Sequence, residues 1–169
     1  IRTADGALNE QASILIRLRE ITSQSATGTI GDTERATLQL EFSALRSEFD
    51  RIANSTEFNG QKLLDGTLAA SASDTVVLQL GVDSSDDNRF DLNQKINLTA
   101  ITSSALGFST DSISTNTGAV TAMANLTSAI DKLATIRGKV GSVQETLDYS
   151  KAALDANIEN LTGAVSTLR

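Results

Sequence analysis

The sequence contains no Cys, His, Pro or Trp. Without Cys there are no disulfides, no thiol nucleophile, and no thiolate ligands for zinc or an iron–sulfur cluster. Without His there is neither an imidazole base nor His-coordinated zinc, which removes most common catalytic groups. Glu and Asp are left for acid–base work or for holding Mg²⁺ or Ca²⁺, so the expectation is a protein that is not an enzyme and carries no cofactor. Aromatic residues make up 4% of the 169 residues. The core must then be aliphatic and thin, as where long helices pack side by side. Positive charge is also scarce: 14 Lys and Arg against 21 Asp and Glu leave a net charge of −7. That balance argues against nucleic acid, which requires a basic face for its phosphates, and against an anionic membrane surface. No apolar run approaches the ~20 residues of a membrane span, and the first residues do not resemble a signal peptide.

The length suits one domain, in which folding buries roughly 70% of the unfolded surface. With Pro absent, Gly and clusters of Ser, Thr, Asn and Asp are the punctuation. A first helix is predicted from about Thr3 to Ser25, with apolar residues at Leu8, Ala12, Leu15, Leu18 and Ile21. Gly28 and Gly31 break the pattern. A second helix is expected to begin with Asp32 as its N-cap and Glu34 in its first turn. It carries Leu38, Phe42, Leu45, Phe49 and Ile52 as a heptad seam ending near Asn54.

The longest periodic stretch runs from about Ala119 to Leu168. Its seam comprises Leu126, Ile130, Leu133, Ile136, Val140, Val143, Leu147, Leu154, Ile158, Leu161, Val165 and Leu168. Fifty helical residues span about 75 Å, which implies a rod. Gly138, Gly141 and Gly163 read as close-approach or bending points, at about 1 kcal/mol each relative to Ala. The chain ends at Arg169 inside this pattern, as a fragment boundary would.

Between the second and third helices the period changes to two. Thr75 to Val82 and Phe90 to Asn93 form an expected hairpin around the polar turn 83–89, and Lys95-Ile96-Asn97-Leu98 is a candidate extension of its second strand. Residues 99–118 are rich in Ser and Thr, with Leu106-Gly107-Phe108 as the one apolar anchor, and read as an irregular connection. The predicted fold is mainly α: an elongated antiparallel bundle of three long helices, a coiled-coil-like rod, with a small β-hairpin excursion. Residues 1–68 supply two helices and a turn, 69–118 the hairpin and connection, and 119–169 the long helix, all within one domain.

Candidate sites are few. Asp83, Asp86 and Asp87 lack EF-hand spacing and read as a solvated hairpin tip. Four N-x-S/T matches, at Asn54, Asn97, Asn125 and Asn160, are frequent by chance in so Ser/Thr-rich a chain. The glycines form no phosphate-binding pattern. Arg17 and Arg19 flank Leu18, either as a partner-facing basic patch or as an ordinary charged face with the Arg17/Glu20 pair; physics alone favours the second.

Several segments resemble bacterial flagellin. Leu15-Ile16-Arg17-Leu18-Arg19-Glu20-Ile21 is similar to that family's L-x-R-x-R-E-L signature. Phe49-Asp50-Arg51-Ile52, followed by Glu57-Phe58-Asn59-Gly60-Gln61-Lys62-Leu63-Leu64, resembles its D-R…F-N-G-x-K-L-L segment. Thr3 to Glu10, Leu78-Gln79-Leu80-Gly81 and Glu159-Asn160-Leu161-Thr162 match further family stretches in order.

The resemblance implies the D1 rod domain of a flagellin, without the terminal coiled-coil helices on which polymerisation depends and without large outer domains. It implies a structural subunit of the bacterial flagellar filament, secreted and extracellular, self-assembling into a helical tube for motility. The partners implied are other copies of the chain, the flagellar export apparatus, a secretion chaperone, and cap and junction proteins. It further implies recognition by host Toll-like receptor 5 through Arg17, Arg19, Glu20, Ile21, Gln24 and, on the second helix, Glu41. Thr22-Ser23 departs from the family's Ala-Val, and Ile21 from its Leu, so the expectation is recognition that is retained but weakened. The intramolecular seam is expected to comprise Leu15, Leu18, Phe42, Leu45, Phe49, Leu133, Val140, Val143 and Leu147. The alternative is a hook–filament junction protein, whose rod is similar but should diverge around both signatures. A surface hydrolase with an inserted domain is disfavoured by the short 99–118 segment and the missing His.

Overall fold

A computed structural model describes residues 1–73, 75–80 and 88–168, the side chain of Leu168 excepted. Three long helices dominate it: α1 (Arg2–Ser25), α2 (Asp32–Ser55) and α5 (Asn116–Leu168). Between α2 and α5 lie β1 (Glu57–Phe58), β2 (Gln61–Lys62), β3 (Val77–Gln79), β4 (Arg89–Asp91), and the short helices α3 (Leu92–Ile96) and α4 (Ser103–Leu106). The described residues therefore hold five helices where three were expected. At 24 and 53 residues, α1 and α5 are about 36 and 80 Å long.

α1 is the central helix. Its buried stripe runs Ala4, Leu8, Gln11, Leu15, Leu18, Ile21, Thr22 and Ser25, the spacing that keeps one helical face inward. It packs extensively against both α2 and α5, whereas α2 and α5 share no comparable contact. Leu15, Leu18, Phe42, Phe49, Leu133, Val140 and Val143 are buried, and Leu45 and Leu147 pack partly buried against them.

Helix seams alone do not close this bundle. The 92–115 segment lies along the opening between α2 and α5 and buries Leu92, Ile96, Leu98, Ile101, Leu106, Phe108 and Ile113. Leu106 and Phe108 thus have company that the Ser/Thr-rich composition did not suggest. The strap is held by side chains reaching its backbone. Asp50 accepts from Ser103 N at 2.6 Å, Gln39 Oε1 accepts from Ile113 N at 2.6 Å, Arg46 donates to Asp111 O, and Lys132 donates to Leu106 O. From α1, Gln11 Nε2 donates to both Phe49 O and Ile101 O, tying three elements together. These bonds satisfy backbone groups that an irregular segment would otherwise bury without partners.

Several expectations need correction. Asp32 is the first residue of α2 and not its N-cap; Gly31 caps it in extended conformation with no side-chain bond. Segment 95–98 does not extend β4. Asp91 Oδ1 accepts from Gln94 N and starts α3, which Asn97 ends at φ 46°; Leu98 then bridges to Leu68. The hairpin itself forms, with Val77 opposite Asp91 and Gln79 opposite Arg89, but its acidic tip lies outside the described residues. Gly138 and Gly141 are not close-approach points, nor is Gly163, because an added Cβ at each would meet nothing within 4 Å. Finally, the α5 seam is not buried throughout: Ile158, Leu161 and Val165 are each 57% exposed.

The turn after α2 is built as its sequence demands. β1 and β2 pair antiparallel through the two-residue loop Asn59-Gly60. Both loop residues have positive φ, at 51° and 78°, the requirement that favours Asn-Gly in a tight hairpin. The turn between α1 and α2 is clamped by buried Arg35, which donates to Ser25 O and Thr27 O, supplying donors to carbonyls that the end of α1 leaves free.

Candidate functional site

The residues singled out on α1 separate into two sets. Arg17, Arg19, Glu20 and Gln24 lie exposed, and Glu41 on α2 joins them across the helix pair. Arg17 is the hub: its Nε and one terminal nitrogen each lie 2.7 Å from Glu41 Oε1, and its other terminal nitrogen lies 3.2 Å from Glu20. These bonds, to Glu41 first and Glu20 second, raise the guanidinium pKa above its ordinary value. The result is a solvent-exposed array of alternating charge, the Arg17/Glu20 pair included, rather than a basic patch.

Ile21 belongs to the other set. It is 1% exposed and packs in the core, so it supports this face from beneath and touches nothing outside. Thr22 is buried too, and its hydroxyl donates to Leu18 O at 2.6 Å. Of the Thr22-Ser23 pair, only Ser23 alters the outer surface.

Two apolar residues on α1 and α2 are exposed as well. Ile16, 55% exposed, borders a shallow groove between α1 and α5 with Arg19, Glu20, Ser23, Met123 and Ile130. Leu40 on α2 is 73% exposed. Sequence reading passed over both, although a signal was present: each sits one or two positions off its helix's inward seam, where solvent rather than core awaits it. Charged residues bordering the exposed Ile16 and its groove suit contact with another macromolecule. Among the described residues no three or more carboxylates gather as a metal site, and no helix is long and apolar enough to cross a membrane.

Residues 1–69 match the family model for the bacterial flagellin N-terminal helical region. The crystal structure of Bacillus cereus flagellin superposes with a TM-score of 0.72 at 32% identity, covering 88% of this chain and 80% of that one. This chain belongs to the bacterial flagellin family. The flagellin of Halalkalibacterium halodurans is 37% identical across the whole chain, which spans 59% of that relative. The Bacillus subtilis flagellin is 34% identical and is spanned to 63%. A flagellar filament core protein of Treponema maltophilum is 32% identical and is spanned to 61%. The chain therefore covers about three-fifths of the length of these curated relatives. FliC from Burkholderia pseudomallei, at 17% identity and a TM-score of 0.67, shares the fold.

Proposed function

We propose that the protein is a structural subunit of the bacterial flagellar filament, an extracellular appendage in which copies assemble into a helical tube. The observation that carries this reading is the joint sequence and structural match to Bacillus cereus flagellin across most of both chains. The names of the relatives, flagellins and a flagellar filament core protein, point the same way. The work is mechanical: a helical rod passes torque along the tube, and no residue is catalytic. Export apparatus, secretion chaperone, and cap and junction proteins are the partners such a subunit meets.

The exposed face carrying Ile16, Arg17, Arg19, Glu20, Gln24, Leu40 and Glu41 is the proposed contact with neighbouring copies and, in a host, with Toll-like receptor 5. Its support is the exposed Arg17 ion-pair array and the exposed Ile16 that borders a groove with Arg19 and Glu20. Seeding tests the assembly reading: full-length gene product is added to short filament seeds and imaged by electron microscopy. Long uniform tubes are expected; capping of seed ends without elongation would favour a hook–filament junction protein instead. A receptor reporter assay tests the second role, with Arg17→Ala expected to reduce the response.

A further inference from the structure

We propose that Asn59 is a site of spontaneous covalent modification, converting to aspartate and isoaspartate through a cyclic imide formed with Gly60. The chemistry requires an amide side chain followed by an unhindered backbone nitrogen, and Asn59-Gly60 is the one Asn-Gly pair in the sequence. The Gly60 nitrogen attacks Asn59 Cγ. The Cγ–Nδ2 bond breaks, and Nδ2 leaves as ammonia with the proton from Gly60. Water then opens the ring. Attack at Cγ gives aspartate; attack at the former backbone carbonyl gives isoaspartate, in which the chain runs through the side-chain carbon.

The structure separates this pair from its chemical neighbours. Asn59 and Gly60 are exposed, and an added Cβ at Gly60 would meet nothing within 4 Å. Asn97 has nearly the same backbone, at φ 46°, but its Oδ1 accepts from Ala70 N, and branched Leu98 follows it. Asn54 precedes Ser55 inside the last turn of α2, where helical backbone holds the next amide away. Among the Asp-Gly pairs, Asp5-Gly6 lies within α1. The Asp65 carboxylate is held by Thr67, while Gly66 is backed by Ala100. Among the Asn-Gly and Asp-Gly pairs, all of them described residues, 59–60 is the one whose reactive atoms are both unhindered and unengaged.

The two products differ in consequence. Aspartate tolerates the left-handed conformation of residue 59, so the hairpin survives. Isoaspartate adds a methylene to the backbone of a two-residue loop that closes two-residue strands, which cannot keep Glu57 opposite Lys62. The Leu63 N to Thr56 O bond next to the hairpin, at 3.1 Å, would be lost with it.

The test ages folded protein in mildly alkaline buffer and sequences the tryptic fragment 52–62 by mass spectrometry, with a denatured sample in parallel. Amide loss at Asn59 is expected while Asn54, in the same fragment, and Asn97 stay intact. Isoaspartyl methyltransferase labelling should confine to residue 59, and Leu63 amide exchange should rise with the isoaspartyl fraction. Retention of the Asn59 amide in folded protein over the interval in which the denatured sample converts would overturn the proposal. So would conversion of Asn54 or Asn97 ahead of it.

Discussion

Replacing Phe108 by Ala tests whether the 92–115 strap, rather than helix seams alone, closes the bundle. Phe108 is fully buried, and its ring meets that of Phe49 edge-on, with centroids 5.3 Å apart and planes at 75°. Removing a buried Phe side chain costs about 3–5 kcal/mol through lost burial and the cavity left behind. Of this, about 0.5–1.5 kcal/mol belongs to the ring pair itself. For a chain of this size each kcal/mol lowers the thermal midpoint by about 2–4 °C, so the drop should be about 6–20 °C. Urea unfolding followed by far-ultraviolet circular dichroism measures the free-energy loss, and a thermal melt measures the midpoint. Phe58→Ala is the control, because Phe58 is 66% exposed and should lose far less. If the Ala variant barely folds, a cycle of Phe49→Leu and Phe108→Leu isolates the ring pair, with an expected coupling of about 0.5–1.5 kcal/mol. A Phe108→Ala cost below about 1 kcal/mol, where fully buried Phe sites lie well above that, would refute the strap as part of the core.

Three further outcomes follow from the geometry. Gln11→Leu should destabilise by about 1–3 kcal/mol in urea, because it removes the donor shared by Phe49 O and Ile101 O; a more stable variant would contradict the pinning role. Gly138→Ala and Gly141→Ala should each stabilise by about 0.5–1 kcal/mol, since both sites are helical with open space around the new methyl, and destabilisation would restore the close-approach reading. Arg17→Ala should leave the thermal midpoint unchanged, because its ion pairs are solvent-exposed, yet lower the receptor reporter response; a lost fold would instead make Arg17 structural.

The long helices were legible because the chain lacks Pro and repeats aliphatic residues every three or four positions, a pattern that survives without knowledge of what covers it. Burial along α5 was less legible. Leu133 and Leu161 look alike in sequence, but the first is buried against α1 beside Leu15 and the second is 57% exposed. The strap was hidden for a different reason. Its Ser and Thr content signals irregular backbone correctly, while Ile101 and Ile113 are made core residues by Gln11, Gln39 and Ser25 on distant helices. Residues 95–98 mimic strand alternation, and a cap at Asp91 with a left-handed Asn97 overrides it. On the surface, the charged members of the site could be named from the signature, whereas Ile21, which the signature placed among them, belongs to the apolar stripe that the spacing of Leu8, Leu15 and Leu18 already marked as inward. Arg35, a buried clamp for the first turn, carried no sequence signal beyond an acidic neighbour.

The most direct test of the filament-subunit account is a helical reconstruction by electron microscopy of the filament formed by the full-length gene product. The account predicts a tube in which the α1–α2 face bearing Ile16, Arg17, Glu20, Leu40 and Glu41 is covered by a neighbouring copy. A tube that leaves this face open to solvent, or a gene product that never elongates a seed, would contradict it.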